Sequence, residues 1–516
     1  MLPGFRNEPF TNFTDVENKK AMEDALAKVA GEFGREYPMV IGGKEITSKH
    51  KINSYNPAKK DQVVGIAHKG SKEDAQTALD SAWKAFDTWK STPAEKRAQY
   101  IVDLAAKMRK RKHELSAWMI YEVGKSWPEA DGDVAEAIDF CEFYAREAIR
   151  YGEVRNLLPW PGETNQLEYI PLGAGAVIPP WNFPSAILVG MTAGPVVAGN
   201  TVVLKPASDS PIIAAKIMEL VREVGIPDGV INFIPGSGSE VGQTLIENPN
   251  TRFINFTGSR DVGLHIVEEA AKHKKGQRWI KRVAAEMGGK DAAIVDTEAD
   301  IDAAAQDVAI SAFGFQGQKC SACSRAIVDE KIYDEFLQKL IDRTKKIKVG
   351  TTVDPSNYMG PVINKNAFHK INDYIKIGSK EGSIVCGGES SDKDGYFIQP
   401  TIIADVAPTA RITQEEIFGP VLAVIKAKNF DDAIQIFNGT EYGLTGGVFT
   451  QNPDKTARAR KECYVGNFYV NRKITGALVG VQPFGGYNMS GTCAKAGGSD
   501  YLLLFMQAKS ICEKMI

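Results

Sequence analysis

Gly173-Ala-Gly-Ala-Val-Ile-Pro-Pro-Trp-Asn182-Phe-Pro-Ser-Ala-Ile-Leu-Val-Gly-Met-Thr-Ala-Gly-Pro-Val-Val-Ala-Gly-Asn-Thr-Val-Val-Leu204 is the longest apolar stretch of the chain. Its length would suit a membrane span, but Pro179, Pro180, Asn182, Pro184, Pro195 and Asn200 interrupt it, and the polar groups they free would find no partner in hydrocarbon. It reads instead as the core of an α/β domain, with buried strands at 174–178 and 201–204. Similar apolar runs at 230–234 and 253–256 lie between helical patterns, and this alternation indicates a parallel sheet covered on both faces. A second α/β unit begins near Glu286 and continues through 292–295, 326–328 and 421–425.

Upstream, Thr14-Asp-Val-Glu17 has the form of a capping box, and Met22, Ala25, Leu26, Val29 and Phe33 recur at helical spacing. Helices are also expected at 71–89, behind a serine cap, and at 94–119 and 130–148. A chain of 516 residues exceeds one ordinary core, so two or more domains are expected. The 62 basic and 64 acidic residues leave a net charge of −2, which supplies no field for nucleic acid or an anionic membrane. Seven cysteines without regular spacing argue against a disulfide framework. The opening Met1-Leu-Pro-Gly-Phe-Arg lacks a targeting pattern, and a cytoplasmic location is expected.

The chemistry concentrates in Glu286-Met-Gly-Gly-Lys-Asp291 and Phe315-Gln-Gly-Gln-Lys-Cys320-Ser-Ala-Cys323-Ser-Arg325. These offer a carboxylate base and a thiol nucleophile in glycine-rich settings. Lys319 and nearby backbone N–H groups are expected to push the Cys320 thiol towards thiolate. Taken alone, Cys320 reads more readily as a buried free cysteine, which behaves as a small hydrophobe, and the further motifs turn the reading. Asn182 sits among prolines that hold its segment in a stiff loop, and an immobilised amide near a thiol is what an oxyanion hole needs. Val202-Val-Leu-Lys205-Pro-Ala-Ser208 reads as a strand ending in a lysine. Phe253-Ile-Asn-Phe-Thr-Gly258-Ser259 reads as a strand turning into a helix whose N-terminus suits a phosphate. Gly236-Ser-Gly238-Ser-Glu-Val-Gly242 misses the dinucleotide fingerprint by one residue before its last glycine. Gln414-Glu-Glu416-Ile-Phe418-Gly-Pro sets a carboxylate and a ring before a Gly-Pro turn. Cys323 evokes a Cys-x-x-Cys metal or redox site, but no second ligand pair accompanies it and the six histidines are scattered, so no metal is expected. The same scatter counts against a Cys–His hydrolase.

In this order, Pro-Trp-Asn-Phe-Pro, Leu-Lys-Pro, Phe-Thr-Gly-Ser, Glu-Met-Gly-Gly-Lys, Gly-Gln-Lys-Cys and Glu-Ile-Phe-Gly-Pro resemble the aldehyde dehydrogenase superfamily, from about residue 38 to the C-terminus. The resemblance implies an α/β fold with a variant Rossmann-type cofactor domain, an α/β catalytic domain and a small β oligomerisation flap. The implied boundaries are an N-terminal helical arm at 1–37, a dinucleotide-binding domain at 38–152 and 172–285, and a catalytic domain at 286–489. Oligomerisation strands and a substrate-anchor loop are implied at 153–171 and 490–516. Catalysis falls to Cys320 as nucleophile, Asn182 with the Cys320 N–H as oxyanion donors, and Glu286 as the base that activates water.

The implied cofactor is NAD. Lys205 would meet the adenosine ribose, Gly258 and Ser259 the pyrophosphate, and Glu416 the nicotinamide ribose with Phe418 packed nearby; Pro180, Trp181 and Gly238 complete the set. Ser208 stands where strictly NAD-dependent relatives carry glutamate, so NADP is expected to be tolerated. Lys319-Cys-Ser-Ala-Cys-Ser-Arg325 and the stretch 475–505 narrow the resemblance to members that oxidise L-glutamate γ-semialdehyde, the open form of a cyclic imine, to L-glutamate in the second step of proline degradation. There Ser321, Lys319 and the backbone N–H groups of Gly497 and Gly498 would hold the substrate carboxylate. Phe183 and Phe484 would pack on its aliphatic middle, and Glu142 would approach its ammonium group. A dehydrogenase of another semialdehyde, such as succinate semialdehyde, is the nearer alternative; a non-catalytic protein on the same scaffold is the more distant one, against which the intact trio argues. Thr492-Cys-Ala-Lys495 lacks the second glutamate of general aldehyde dehydrogenases, so a relay through it is not expected. An apolar C-terminal strand at 501–506 argues for a homodimer or larger homo-oligomer.

Overall fold

The first four apolar runs become Ala174–Ile178, Thr201–Leu204, Ile231–Phe233 and Phe253–Thr257 in a computed structural model that describes residues 2–492 and 494–515. Together with Arg282–Glu286 they form five parallel strands of a seven-stranded sheet, which the hairpin Met39–Ile41 and Lys44–Ile46 extends in antiparallel fashion. Gly175 is required in this sheet, because a Cβ there would strike the ring of Phe253 on the neighbouring strand. The second sheet also has seven strands. Thr401–Ala404, Val421–Ala427, Arg325–Asp329, Ala292–Val295, Thr445–Phe449 and Asn467–Val470 run parallel, and Ser383–Cys386 lies antiparallel at one edge. Both sheets carry helices on their faces, as the alternation of elements requires.

Three expectations need correction. The first helix, Val16–Ala30, is capped by Asp15 and not by Thr14: the Asp15 carboxylate accepts from Glu17 N and Asn18 N, which leaves Met22, Ala25, Leu26 and Val29 on the buried face. The helix expected over 94–119 is two, Ala94–Lys110 and Lys112–Val123, separated at Arg111 (φ −110°, ψ 22°). The intervening Arg-Lys-Arg-Lys-His run has no apolar stripe to hold a continuous helix against the core. Residues 501–505 form a 3₁₀ turn, and the strand is Met506–Lys514, paired antiparallel along Glu163–Pro171. Tyr-Leu-Leu-Leu-Phe cannot alternate inward and outward as a half-exposed strand must. The tighter turn buries Tyr501, Leu502 and Phe505, with Tyr501 stacked 5.1 Å from Tyr144 and Phe505 5.2 Å from Phe253. Among the described residues no helix is long and apolar enough to cross a membrane.

The parallel strands place their C-terminal ends together, which is where such sheets bind ligands. Ile178 leads into the Asn182 loop, Leu204 into Lys205, Thr257 into Ser259, and Glu286 is itself the last residue of its strand.

Candidate active site

The segment that leaves Glu286 crosses between the two sheets and joins three of the motifs. Gly288 lies against the Glu416 carboxylate, with which any Cβ would collide, while a Cβ on Gly289 would sit 2.6 Å from the Cys320 carbonyl. Gly289 N also donates to Glu416 Oε1 at 3.1 Å. The two glycines are therefore needed for close backbone approach. From the other side, Asn182 Nδ2 donates to the Gln318 carbonyl at 3.0 Å, which fixes the buried amide two residues before Cys320. The nucleophile loop itself is strained: Phe315 (φ 48°), Gln316 (φ 58°) and Gly317 (φ 65°) are consecutive left-handed residues. Such a run costs on the order of 1–3 kcal/mol per non-glycine residue and persists only where neighbours impose it. Gln316 Nε2 supplies that constraint by donating to Gly124 O and Pro361 O at 3.0 and 2.9 Å.

The electrostatics differ from the sequence expectation. Burial pushes the Cys320 thiol well above its ordinary value, and the carboxylates of Asp291, Glu416 and Glu286 push in the same direction. Lys319 does not offset them, because its ammonium is bound to Glu129 Oε1 at 2.6 Å. Burial also raises the Glu286 carboxyl to about 8, against the pull of two backbone donors, Gly486 N to Oε2 at 2.9 Å and Ala494 N to Oε1 at 3.0 Å. Glu286 is thus a satisfied carboxyl that is largely protonated at neutral pH. Cys323 is a buried free thiol whose Sγ lies 3.4 Å from the Arg325 carbonyl. The described residues contain no group of three or more metal-ligating side chains.

A dinucleotide would meet a fitting set of groups along the first sheet. Among the described residues Lys205, buried and lowered to about 8 by desolvation, donates only to the carbonyls of Pro206 and Gly236. Ser208 is exposed beyond it. Gly238 opens the short helical turn Gly238–Gly242, and a Cβ there would meet open space. Gly258 N donates to Glu286 O, and Ser259 caps Arg260–Ala271 without a side-chain bond, leaving the first-turn N–H groups of that twelve-residue helix available to phosphate. Glu416 is half-buried and accepts from one backbone donor among the described residues, Phe418 adopts φ 60°, and its ring stands edge-on to Trp181 at 5.7 Å, one residue beyond Pro180.

On the far side of Cys320 the structure redistributes the expected substrate contacts. Gly497 N donates to Tyr144 Oη at 2.8 Å and Gly498 N to Lys495 O at 2.9 Å, so both turn amides are already used. Glu142 is held by Arg146 at 2.8 Å and Arg109 at 3.3 Å, turned towards the helix Ala94–Lys110, and the structure does not bring it to the other residues. Phe484 exchanges backbone bonds with Ala496. Phe183 faces Phe315 at 6.3 Å, and the buried Lys125 ammonium lies over both rings at 3.9 and 4.2 Å.

Sequence reasoning missed what surrounds these rings. Glu129, Asp133 and Glu136 recur at i, i+4 and i+7 on the helix Trp127–Gly152, and that spacing within an otherwise apolar face was the available signal. Asp133 pairs with Lys125 at 3.1 Å, and burial, reinforced by Asp133, raises Glu136 to about 8. It also missed Gly476 and Ala477, whose N–H groups have no acceptor among the described residues. The Ser321 hydroxyl is likewise without a partner among them. Their two loops hang on one residue: Ser311 O accepts from Cys323 N at 3.0 Å, and Ser311 Oγ accepts from Ile474 N at 3.1 Å. Three unused donors therefore lie beside Lys319 and the rim residue Lys473, which interact with the same Glu129. No signal in the sequence separated Gly476-Ala477 from Gly497-Gly498. Cys493 lies outside the described residues.

The sequence pattern of the aldehyde dehydrogenase family matches residues 45–511. A 1-pyrroline-5-carboxylate dehydrogenase of a Geobacillus strain is 55% identical over 513 residues, 99% of this chain and 100% of the relative. Among solved structures, a Thermus 1-pyrroline-5-carboxylate dehydrogenase with bound NAD is 51% identical, with a TM-score of 0.98 over 99% of each chain. A betaine aldehyde dehydrogenase of Staphylococcus aureus in complex with NAD+ is 30% identical, with a TM-score of 0.89 over 96% of this chain and 98% of the other.

Proposed function

This chain belongs to the aldehyde dehydrogenase family, and from that premise we propose that it oxidises L-glutamate γ-semialdehyde, released by opening of 1-pyrroline-5-carboxylate, to L-glutamate with NAD, as a step of proline degradation. The names of the full-length relatives support this reading. The observation that carries it in this chain is the set of three unused donors, Ser321 Oγ, Gly476 N–H and Ala477 N–H, next to the nucleophile and two lysines. They suit the substrate carboxylate better than the engaged amides of Gly497 and Gly498.

The mechanism follows from the groups in place. The Cys320 thiol gives its proton to solvent, and Sγ attacks the aldehyde carbon to form the thiohemiacetal oxyanion. Asn182 Nδ2 and the Cys320 N–H stabilise the oxyanion, each such donor being worth about 3–4 kcal/mol in the transition state. The dinucleotide, when bound, supplies the hydride acceptor, and Lys205, Ser259, Glu416 and Phe418 are the residues that would hold it. Loss of hydride from the tetrahedral carbon leaves an acyl thioester on Cys320. Once Glu286 releases the Gly486 and Ala494 amides and gives up its proton, it takes one from water, whose oxygen displaces the thiolate.

Succinate semialdehyde also carries a carboxylate, so the ammonium group must make the distinction between the two substrates. Initial rates of NAD reduction with pyrroline-5-carboxylate, succinate semialdehyde and propanal test this. A preference of at least about 10²-fold in kcat/KM for the first is expected; equal values would remove the substrate assignment. The exposed Ser208 presents no charge to a 2′-phosphate, so NADP is accepted beside NAD, and absence of turnover at millimolar NADP would refute this. The first sheet serves the dinucleotide and the second the nucleophile. The free edge of Met506–Lys514 in its three-stranded sheet suits pairing with a second copy of the chain.

A further inference from the structure

The segment ahead of the first helix takes no part in this chemistry, yet it is bound tightly across the substrate side of the molecule. Asn7 Nδ2 donates to Asp139 Oδ2 at 2.8 Å and to the Val479 carbonyl at 3.0 Å, using both of its hydrogens. Glu8 N donates to the other oxygen of Asp139 at 2.6 Å, and Thr11 N and Oγ1 donate to Asp131 at 2.8 and 2.5 Å. Arg146 Nε and Lys112 Nζ donate to the carbonyls of Pro3 and Pro9 at 2.8 and 2.9 Å. The Phe5 ring stands edge-on to Phe143 at 5.2 Å and closes over Gly480, where a Cβ would come within 3.1 Å of it. Asp131 and Asp139 belong to the same helix, Trp127–Gly152, that bears Glu129, Asp133 and Glu136. The arm therefore bridges the acidic helix and the loop that follows Ala477.

That loop needs such a bridge. Thr475, Gly476 and Ala477 donate no backbone bond among the described residues; Arg472 Nη2 donates to the Thr475 and Gly476 carbonyls at 3.0 and 3.4 Å, and the flanks supply the remaining anchors. On one side Ile474 N is fixed to Ser311 Oγ. On the other, Leu478 N donates to Gln482 Oε1 within the loop, Gly480 N donates to Gly497 O, and the buried Val479 accepts from Asn7.

We propose that the N-terminal arm is a substrate-positioning element: by fixing Val479 through Asn7 and Gly480 through Phe5, it holds the unpaired Gly476 and Ala477 amides where the carboxylate of a semialdehyde bound at Cys320 requires them. The inference rests on the semialdehyde reading above. An aldehyde without a remote carboxylate does not use these amides and does not depend on the arm.

The test is steady-state kinetics of the full chain and its Asn7→Ala, Asn7→Asp and Phe5→Ala variants, at saturating NAD, with pyrroline-5-carboxylate and propanal. Asn7→Ala raises KM for pyrroline-5-carboxylate on the order of tenfold, as expected for the loss of its hydrogen bonds to Val479 and Asp139, with little change in kcat. The kcat/KM ratio of the two substrates falls by the same factor, and Phe5→Ala acts in the same direction. Asn7→Asp, which sets a carboxylate against Asp139 and the Val479 carbonyl, is worse than Asn7→Ala; an arm that merely fills space would tolerate it as well as asparagine. A wild-type preference that survives all three variants, or an equal loss with both substrates, overturns the role of the arm. A wild-type enzyme without the preference overturns the substrate reading beneath it.

Discussion

The reaction centre and the recognition pocket meet at Cys320 but are built differently. Cys320, Asn182, Glu286 and Glu416 are each delivered by a short contiguous motif, and glycine contacts and single backbone bonds then lock the motifs together. The pocket proposed for the far end of the substrate draws on distant pieces: the helix around Glu129 and Glu136, the rings of Phe183 and Phe315 about Lys125, and the loop 475–482 with the arm that crosses it. General chemistry is held by local geometry and specificity by long-range packing, so changes on the two sides should leave different kinetic signatures.

The largest effect is expected at the nucleophile. Cys320→Ser should lower turnover with every aldehyde by at least about 10³-fold while cofactor binding, read by fluorescence titration, is retained; substantial residual turnover would move the nucleophile elsewhere. Asn182→Ala should lower kcat about 10²–10³-fold for charged and apolar aldehydes alike, because the oxyanion is common to both. A loss confined to one substrate class would place Asn182 in the pocket instead. The base offers a smaller, graded test. Burial holds the Glu286 proton up to a pH of about 8, and only the ionised form can accept a proton from water. Thioester hydrolysis, followed in single turnover, should thus rise about tenfold per pH unit below that value and level off above it. Glu286→Gln should abolish the rise, and a flat profile between pH 6 and 8 in the wild type would contradict the assignment.

The same division governs what could be read from the chain. The strands Ala174–Ile178, Thr201–Leu204 and Ala292–Val295 were legible to the residue because fully buried parallel strands are short apolar runs with sharp ends. The break at Arg111 was not, since an extended run of helix formers gives no warning of where tertiary packing stops supporting it. Asn182, Glu286 and Cys320 stood out because their neighbours, proline and glycine, restrict or free the backbone in ways that can be stated in advance. The partner of Lys319 could not be seen: its pairing with Glu129, 190 residues earlier, is a property of the fold, and it engages the charge that was expected to activate the thiol. The engagement of the expected anion-binding amides was hidden for a related reason. Gly497-Gly498 and Gly476-Ala477 look alike as sequence, and only their hydrogen bonding distinguishes an engaged turn from a free one.

The most direct test of the separation between centre and pocket is Ser321→Ala, which removes one free donor beside the nucleophile and leaves the oxyanion donors and base intact. The quantity to measure is the kcat/KM ratio of pyrroline-5-carboxylate to propanal, in the variant and the wild type. A ratio of at least about 10² in the wild type that falls on the order of tenfold or more in the variant, mostly through KM, is the predicted result. A ratio that does not move would contradict the account, because the carboxylate would then be held by groups other than those that lie open beside Cys320.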